Sequence, residues 1–186
     1  MQFHAFSARG ATAFALALAV LCVTVPSRAD DAKLLGTFHD WRAYTLTTDG
    51  DTICYALSVP KQMTPKTVVR KGKRVTLSRG DVYITVTHRP ATETSNEVNV
   101  IIGYPFEKDS RVAYTIDGRK HTLFTMEDRA WAYDAKSDAA ITKAMERGRS
   151  LVVTGTSSRG TTTKDTYSLS GFTAAHNAID KACNVK

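Results

Sequence analysis

Short runs in which apolar and polar residues alternate, cut at close intervals by turn residues, constrain this chain more tightly than anything else in it. Asp81-Val-Tyr-Ile-Thr-Val-Thr-His88 sets Val82, Ile84 and Val86 on one face and Tyr83, Thr85 and Thr87 on the other, the period of a half-buried β-strand. The same period continues through Val98, Val100, Ile102 and Tyr104, where Gly103 and Pro105 bend or end it. Trp41 to Leu46 and Thr52 to Val59 flank Asp49-Gly50, and Arg111 to Ile116 and His121 to Thr125 flank Asp117-Gly118; Asp-Gly between two such runs is a hairpin signal. Leu151 to Phe172 reads as a further hairpin turning at Ser158-Arg159-Gly160, with Tyr167 and Leu169 on one face of its return strand. Strands and turns at this spacing predict an antiparallel sandwich or barrel and argue against alternating βαβ units.

Two segments carry a helical period instead. Ser137 offers an N-cap, Ala140, Ile141, Ala144 and Met145 form an apolar stripe, and Gly148 stands where a helix stops. In Phe172 to Cys183, residues Phe172, Ala175, His176, Ile179 and Cys183 share a helical face, which aims Cys183 inward. The segment before Trp41 reads as a polar lead. Lys61 to Arg74 reads as an irregular connection holding at most a short edge strand at Thr67 to Val69, since Pro65 and Gly72 interrupt it.

The first 29 residues are predicted to be a cleaved signal peptide. Arg9 supplies the positive start, Ala11 to Val25 the apolar run, and Ser27-Arg28-Ala29 the small residues of a cleavage site. Leu21 is too large for Cys22 to belong to a lipobox. Residues 30–186 then form a single domain with enough chain for a sizeable core. Losing Arg9 and Arg28 takes the formal charge from +7 to +5. Cys54 and Cys183 remain, an even pair in an exported chain, 129 positions apart, and are predicted to form a disulfide; two thiols on a metal are the alternative, without a C-x-x-C or neighbouring histidine to support it.

The candidate binding residues are basic. Lys66, Arg70, Lys71, Lys73 and Arg74, with Lys61 before them, lie in a stretch without one acid and suit an anionic partner; as a solvated loop they would need none. No aromatic interleaves them as base stacking requires, so no specific nucleic acid is expected. Ser58-Val-Pro-Lys61 has the S-x-x-K spacing of penicillin-binding enzymes, but Pro60 and the strand-like flank oppose the helix that chemistry uses. Ser157, Ser158 and Arg159 suit turn hydrogen bonding and lack a G-x-S-x-G frame. His39, His88, His121 and His176 show no metal-ligand spacing and read as surface or packing residues, Trp41 as a packing aromatic, and Asp128, Arg129 and Trp131 as a buried ring beside a local ion pair. No catalytic residue, metal or cofactor is therefore assigned.

Several phrases taken in order carry a resemblance: Gly103-Tyr-Pro-Phe106, Leu123-Phe-Thr-Met-Glu-Asp-Arg-Ala-Trp-Ala132, Ser157-Ser-Arg-Gly-Thr161, Asp165-Thr-Tyr-Ser-Leu-Ser-Gly-Phe172 and Ala182-Cys183. Together they resemble the invasion associated locus B family of exported α-proteobacterial proteins, over most of the mature chain. The resemblance implies a mainly β fold, an immunoglobulin-like antiparallel β-sandwich with two peripheral helices, and a place in the periplasm or cell envelope. Members are linked to host-cell entry, yet the family also occurs in bacteria that invade nothing. It brings no established catalytic residues. The expected function is a non-enzymatic interaction module whose partner is an envelope or host protein or an anionic surface. The alternative is a periplasmic accessory or chaperone-like factor in envelope stress. The basic stretch is not among the matching phrases.

Overall fold

The computed structural model describes residues 32–185, so the predicted signal segment lies outside the described residues. Thirteen strands and two helices follow in chain order: β1 Lys33–Phe38, β2 Trp41–Thr48, β3 Asp51–Ser58, β4 Gln62–Thr64, β5 Thr67–Arg70, β6 Lys73–Thr76, β7 Tyr83–Arg89, β8 Thr94–Ile101, β9 Arg111–Ile116, β10 Arg119–Met126, β11 Arg129–Trp131, α1 Ala135–Arg147, β12 Ser150–Thr156, β13 Thr162–Ser168 and α2 Phe172–Cys183. The two Asp-Gly hairpins form as predicted. Asp49 and Gly50 have φ of 51° and 88°, and Asp117 and Gly118 have 44° and 87°, the paired positive values of a type I′ turn.

Eleven strands make one antiparallel sheet in the order β1-β2-β3-β7-β8-β11-β10-β9-β12-β13-β4. β4 follows β3 closely in the chain yet pairs with β13 at the far end of that order. The sheet must therefore fold over until its ends meet. Lys61 N–H donates to the Thr166 carbonyl at 2.7 Å and the Trp41 indole N–H to the Ser168 carbonyl at 3.0 Å across that junction. One core fills the resulting sandwich, with Trp41, Val86, Val100, Tyr114, Leu123 and Val153 fully buried. Burying such side chains stabilises the fold by about 1.5–3 kcal/mol each. Trp41 meets Phe172 edge-on at 4.7 Å, so its predicted packing role holds.

α2 buries Phe172, Ala175, His176, Ile179 and Cys183, the predicted face, against β1, β2, β3 and β7. Cys183 bonds to Cys54 with their Cα atoms 6.0 Å apart. α1 starts one turn earlier than predicted: Asp134, not Ser137, is the N-cap, and its carboxylate accepts the Ser137 N–H at 2.7 Å. The buried face turns with it to Asp138, Ile141, Thr142 and Met145, leaving Ala140 exposed.

Two further expectations are corrected. The polar lead before Trp41 is the edge strand β1, whose alternation is broken by a register shift between Leu34 and Gly36. The basic stretch is not irregular. β4 joins the large sheet, and β5 and β6 make a hairpin of their own around Lys71-Gly72, with φ of 48° and 72°. Lysine in place of Asp or Asn before the glycine hid that turn.

Candidate functional site

The β5–β6 hairpin pairs only with itself, so it forms an arm apart from the large sheet. Its register decides where the cations go. Arg70 pairs with Lys73 and Val68 with Val75 on one face, while Val69 pairs with Arg74 on the other. Lys71 occupies the tip and Lys66 the base, where Leu77 N–H closes the neck on the Lys66 carbonyl at 2.9 Å. The five predicted residues are thus brought into one arm but divided between its faces. None of them is in an ion pair within the described residues, and all but the half-buried Arg70 are exposed. Lys61 does not join them. It pairs with Asp40, whose carboxyl the Lys61 contact holds below the usual range.

Arg79 roots the arm. Its guanidinium, 6% exposed, grips the fully buried Asp165 through two hydrogen bonds of 2.6 Å, donates to the Ile102 carbonyl at 2.7 and 3.0 Å, and lies 5.1 Å over the Tyr104 ring. The Tyr104 hydroxyl donates to the Gly155 carbonyl at 3.1 Å and accepts from the Thr163 hydroxyl at 2.6 Å, and burial raises its pKa. A bidentate pair this enclosed cannot lose one member without stranding the other charge. Gly103 turns beside it with φ of 74°, its backbone against Gly80, where a Cβ would meet the Gly80 carbonyl oxygen at 2.7 Å. Two of the phrases in the resemblance, Gly103 to Phe106 and Asp165 to Phe172, therefore converge at the root of the arm.

Two recesses adjoin the arm. A pocket of about 230 Å³ between the arm and the Ser157–Thr161 turn is lined by Arg70, Ser78, Tyr104, Ser158 and Arg159. It adds Arg159 to the basic set. An open groove of about 960 Å³ runs along β4, with Val59 and Met63 among the exposed apolar residues lining it.

The remaining candidates have structural work. Ser58 donates to the Asp40 carbonyl at 2.8 Å from the end of a strand, so it and Lys61 do not share a helical turn. Ser157 accepts the Thr161 N–H at 3.1 Å and closes its own turn. Asp128 and Arg129 form the expected local pair at 3.9 Å, but Trp131 is half-buried, stacked on Phe124 at 5.7 Å.

The histidines, scattered in sequence, are not all scattered in space. His88 on β7 and His176 on α2 lie with ring centroids 5.5 Å apart. Asn96 N–H donates to His88 Nδ1 at 3.1 Å, so the ring proton sits on Nε2 and goes to Asp180 Oδ1 at 2.9 Å. Burial lowers the pKa of His88, in keeping with a neutral ring. His176 Nε2–H donates to Asn96 Oδ1 at 2.7 Å, which leaves Nδ1 facing Glu146 Oε1 at 3.3 Å and Asp180 Oδ2 at 3.4 Å. Sequence reading missed this cluster, although His176 and Asp180 stand at the i, i+4 spacing that shares a helix face. It likewise missed Arg79 and Asp165. A carboxylate with the parity of Tyr167 and Leu169 was the available signal.

Among the described residues no helix is long and apolar enough to cross a membrane. No curated protein matches the chain. The crystal structure of invasion associated protein B from Bartonella henselae is similar in fold, with a TM-score of 0.52 and 15% identity over 80% of this chain and 96% of that one. That likeness agrees with the mainly β sandwich and its two helices. The model of the invasion associated locus B protein family matches residues 41–180, three-quarters of the sequence, and the chain accordingly belongs to the invasion associated locus B family.

Proposed function

We propose that this protein is a non-enzymatic, exported envelope component that binds an anionic surface through the β5–β6 arm. The observation that carries this reading is an arm presenting Lys66, Arg70, Lys71, Lys73 and Arg74 with no acidic partner among the described residues, rooted by Arg79 and Asp165. Opposite charge along an arm steers encounter and holds a polyanion without a shaped pocket, while Arg70 near its tip and Arg159 beside it line one small pocket. An oxidised cysteine pair and the signal-like first 29 residues support export to the periplasm or outer envelope.

Replacing the five cations by glutamine tests this. Each cation near an anionic membrane contributes about 1 kcal/mol at low salt, so the variant is expected to lose nearly all co-sedimentation with phosphatidylglycerol vesicles, and the wild-type binding to fall as salt is raised. Equal binding by both proteins, with the same salt dependence, would refute the reading.

The groove along β4 favours a second reading, an accessory factor holding unfolded segments in the envelope. Val59 and Met63 remain 55% and 44% exposed on its walls. An accessory of that kind recovers many unfolded clients from intact envelopes by cross-linking, whereas a surface-binding module recovers few partners.

A further inference from the structure

We propose that Glu146, His176 and Asp180 form a divalent-metal site, suited to Zn²⁺, at the seam between α1 and α2. His176 Nδ1 is a buried ring nitrogen with no hydrogen-bond partner, on a side chain 7% exposed. It is aimed between two carboxylate oxygens, Glu146 Oε1 at 3.3 Å and Asp180 Oδ2 at 3.4 Å. A lone pair facing two anions is repulsive unless a cation lies between them. A proton on Nδ1 is poorly placed for that task, since neither oxygen is in line for a hydrogen bond from it.

The spacing fits a metal better. With bonds of about 2.0–2.1 Å from zinc to nitrogen or oxygen, the edge of a tetrahedron is about 3.3–3.4 Å. Two of the three edges, those from His176 to Glu146 and to Asp180, have that length, and His88, His176 and Asp180 each place a possible donor atom within 4.8 Å of the others. One imidazole and two carboxylates are a donor set zinc accepts, and the side chains of Glu146 and Asp180, 35% and 28% exposed, leave the fourth position open to water and give the ion a way in.

The groups behind these ligands are arranged as metal sites require. His176 gives its other ring N–H to Asn96 Oδ1 at 2.7 Å, which fixes the tautomer that leaves Nδ1 free. His88 gives its Nε2–H to Asp180 Oδ1 at 2.9 Å, orienting the carboxylate so that Oδ2 faces His176. His88 is a positioning residue here, not a ligand: its Nδ1 already accepts from Asn96 N–H, so binding a metal through Nε2 would leave the ring without a proton or break that bond. The ion would join the last turn of α1 to the middle of α2, on the helix that carries Cys183.

The test uses purified, oxidised protein without a histidine tag and with free thiols alkylated, titrated with Zn²⁺ at neutral pH by calorimetry. One ion is expected to bind per chain with a Kd of about 10 µM or tighter, and zinc at about a hundredfold its Kd to raise Tm by about 5–10 °C. Glu146→Gln and Asp180→Asn should each weaken binding at least about tenfold, while His121→Gln leaves it unchanged. If circular dichroism shows Asp180→Asn unfolded, Glu146→Gln alone decides, because its side chain is on the helix surface. No binding at 100 µM zinc, on the order of ten times the expected Kd, or binding indifferent to Glu146→Gln, would overturn the proposal.

Discussion

Asp138 shows how one side chain can couple this fold to pH. It lies on the buried face of α1, accepts the Val98 N–H at 2.8 Å, and burial pushes its pKa from 3.8 up to about 6. The folded state therefore holds its proton more tightly than the unfolded chain. That contribution to stability is complete below pH 3.8 and is lost as pH rises through about 6. Asp138→Asn keeps an acceptor for Val98 and never ionises, so it should match the wild type near pH 4 and exceed it by about 2 kcal/mol near pH 7 in urea unfolding. A constant difference between the two proteins across that range would dismiss Asp138 as the source. Residues of this kind were only half legible in the sequence. Asp165 stands out by its parity with Tyr167 and Leu169, which demands a partner, but nothing local points to Arg79, 86 positions away. His88 and Asp180 are 92 positions apart, and only the packing of α2 on β7 makes them neighbours.

Elements whose geometry depends on nearby residues were legible; those fixed by distant contacts were not. Asp-Gly announces its turn because both residues tolerate positive φ. Lys71-Gly72 adopts the same turn without announcing it. α1 starts one turn before the cap expected at Ser137 because Asp134 and Ser137 are both good caps, and tertiary packing decides which face is buried. At the start of α2 the constraint is steric. Gly171 has φ of 91° and its backbone rests on the carbonyl of Phe38 at the end of β1, where a Cβ has no room. Gly171→Ala should cost about 3 kcal/mol or more, and either lower the urea midpoint sharply or prevent folding. A midpoint within error of the wild type would show that β1 and α2 can part at this point without loss.

Across the whole molecule, period-two patterning predicted an antiparallel sandwich or barrel, and the resemblance carried by the matching phrases narrowed it to a sandwich. The strand order was out of reach, because the pairing of β4 with β13 and of β11 with β8 depends on how the sheet folds over. The disulfide was legible from counting alone. In the chain-entropy model a loop of 129 residues stabilises by about 4–5 kcal/mol, so replacing Cys54 and Cys183 together by alanine should lower the unfolding free energy by about that amount. A loss under about 1 kcal/mol would mean that the unfolded chain gains little freedom from losing the bridge. The bridge also governs how the protein bears load. Pulled from outside the disulfide loop, the described fold gives way by unravelling β1, β2 and the first part of β3 ahead of Cys54. Tension passes from Cys54 to Cys183 through a covalent bond, and the arm, the buried ion pair and the α1–α2 seam, all enclosed within that loop, are spared from stretching.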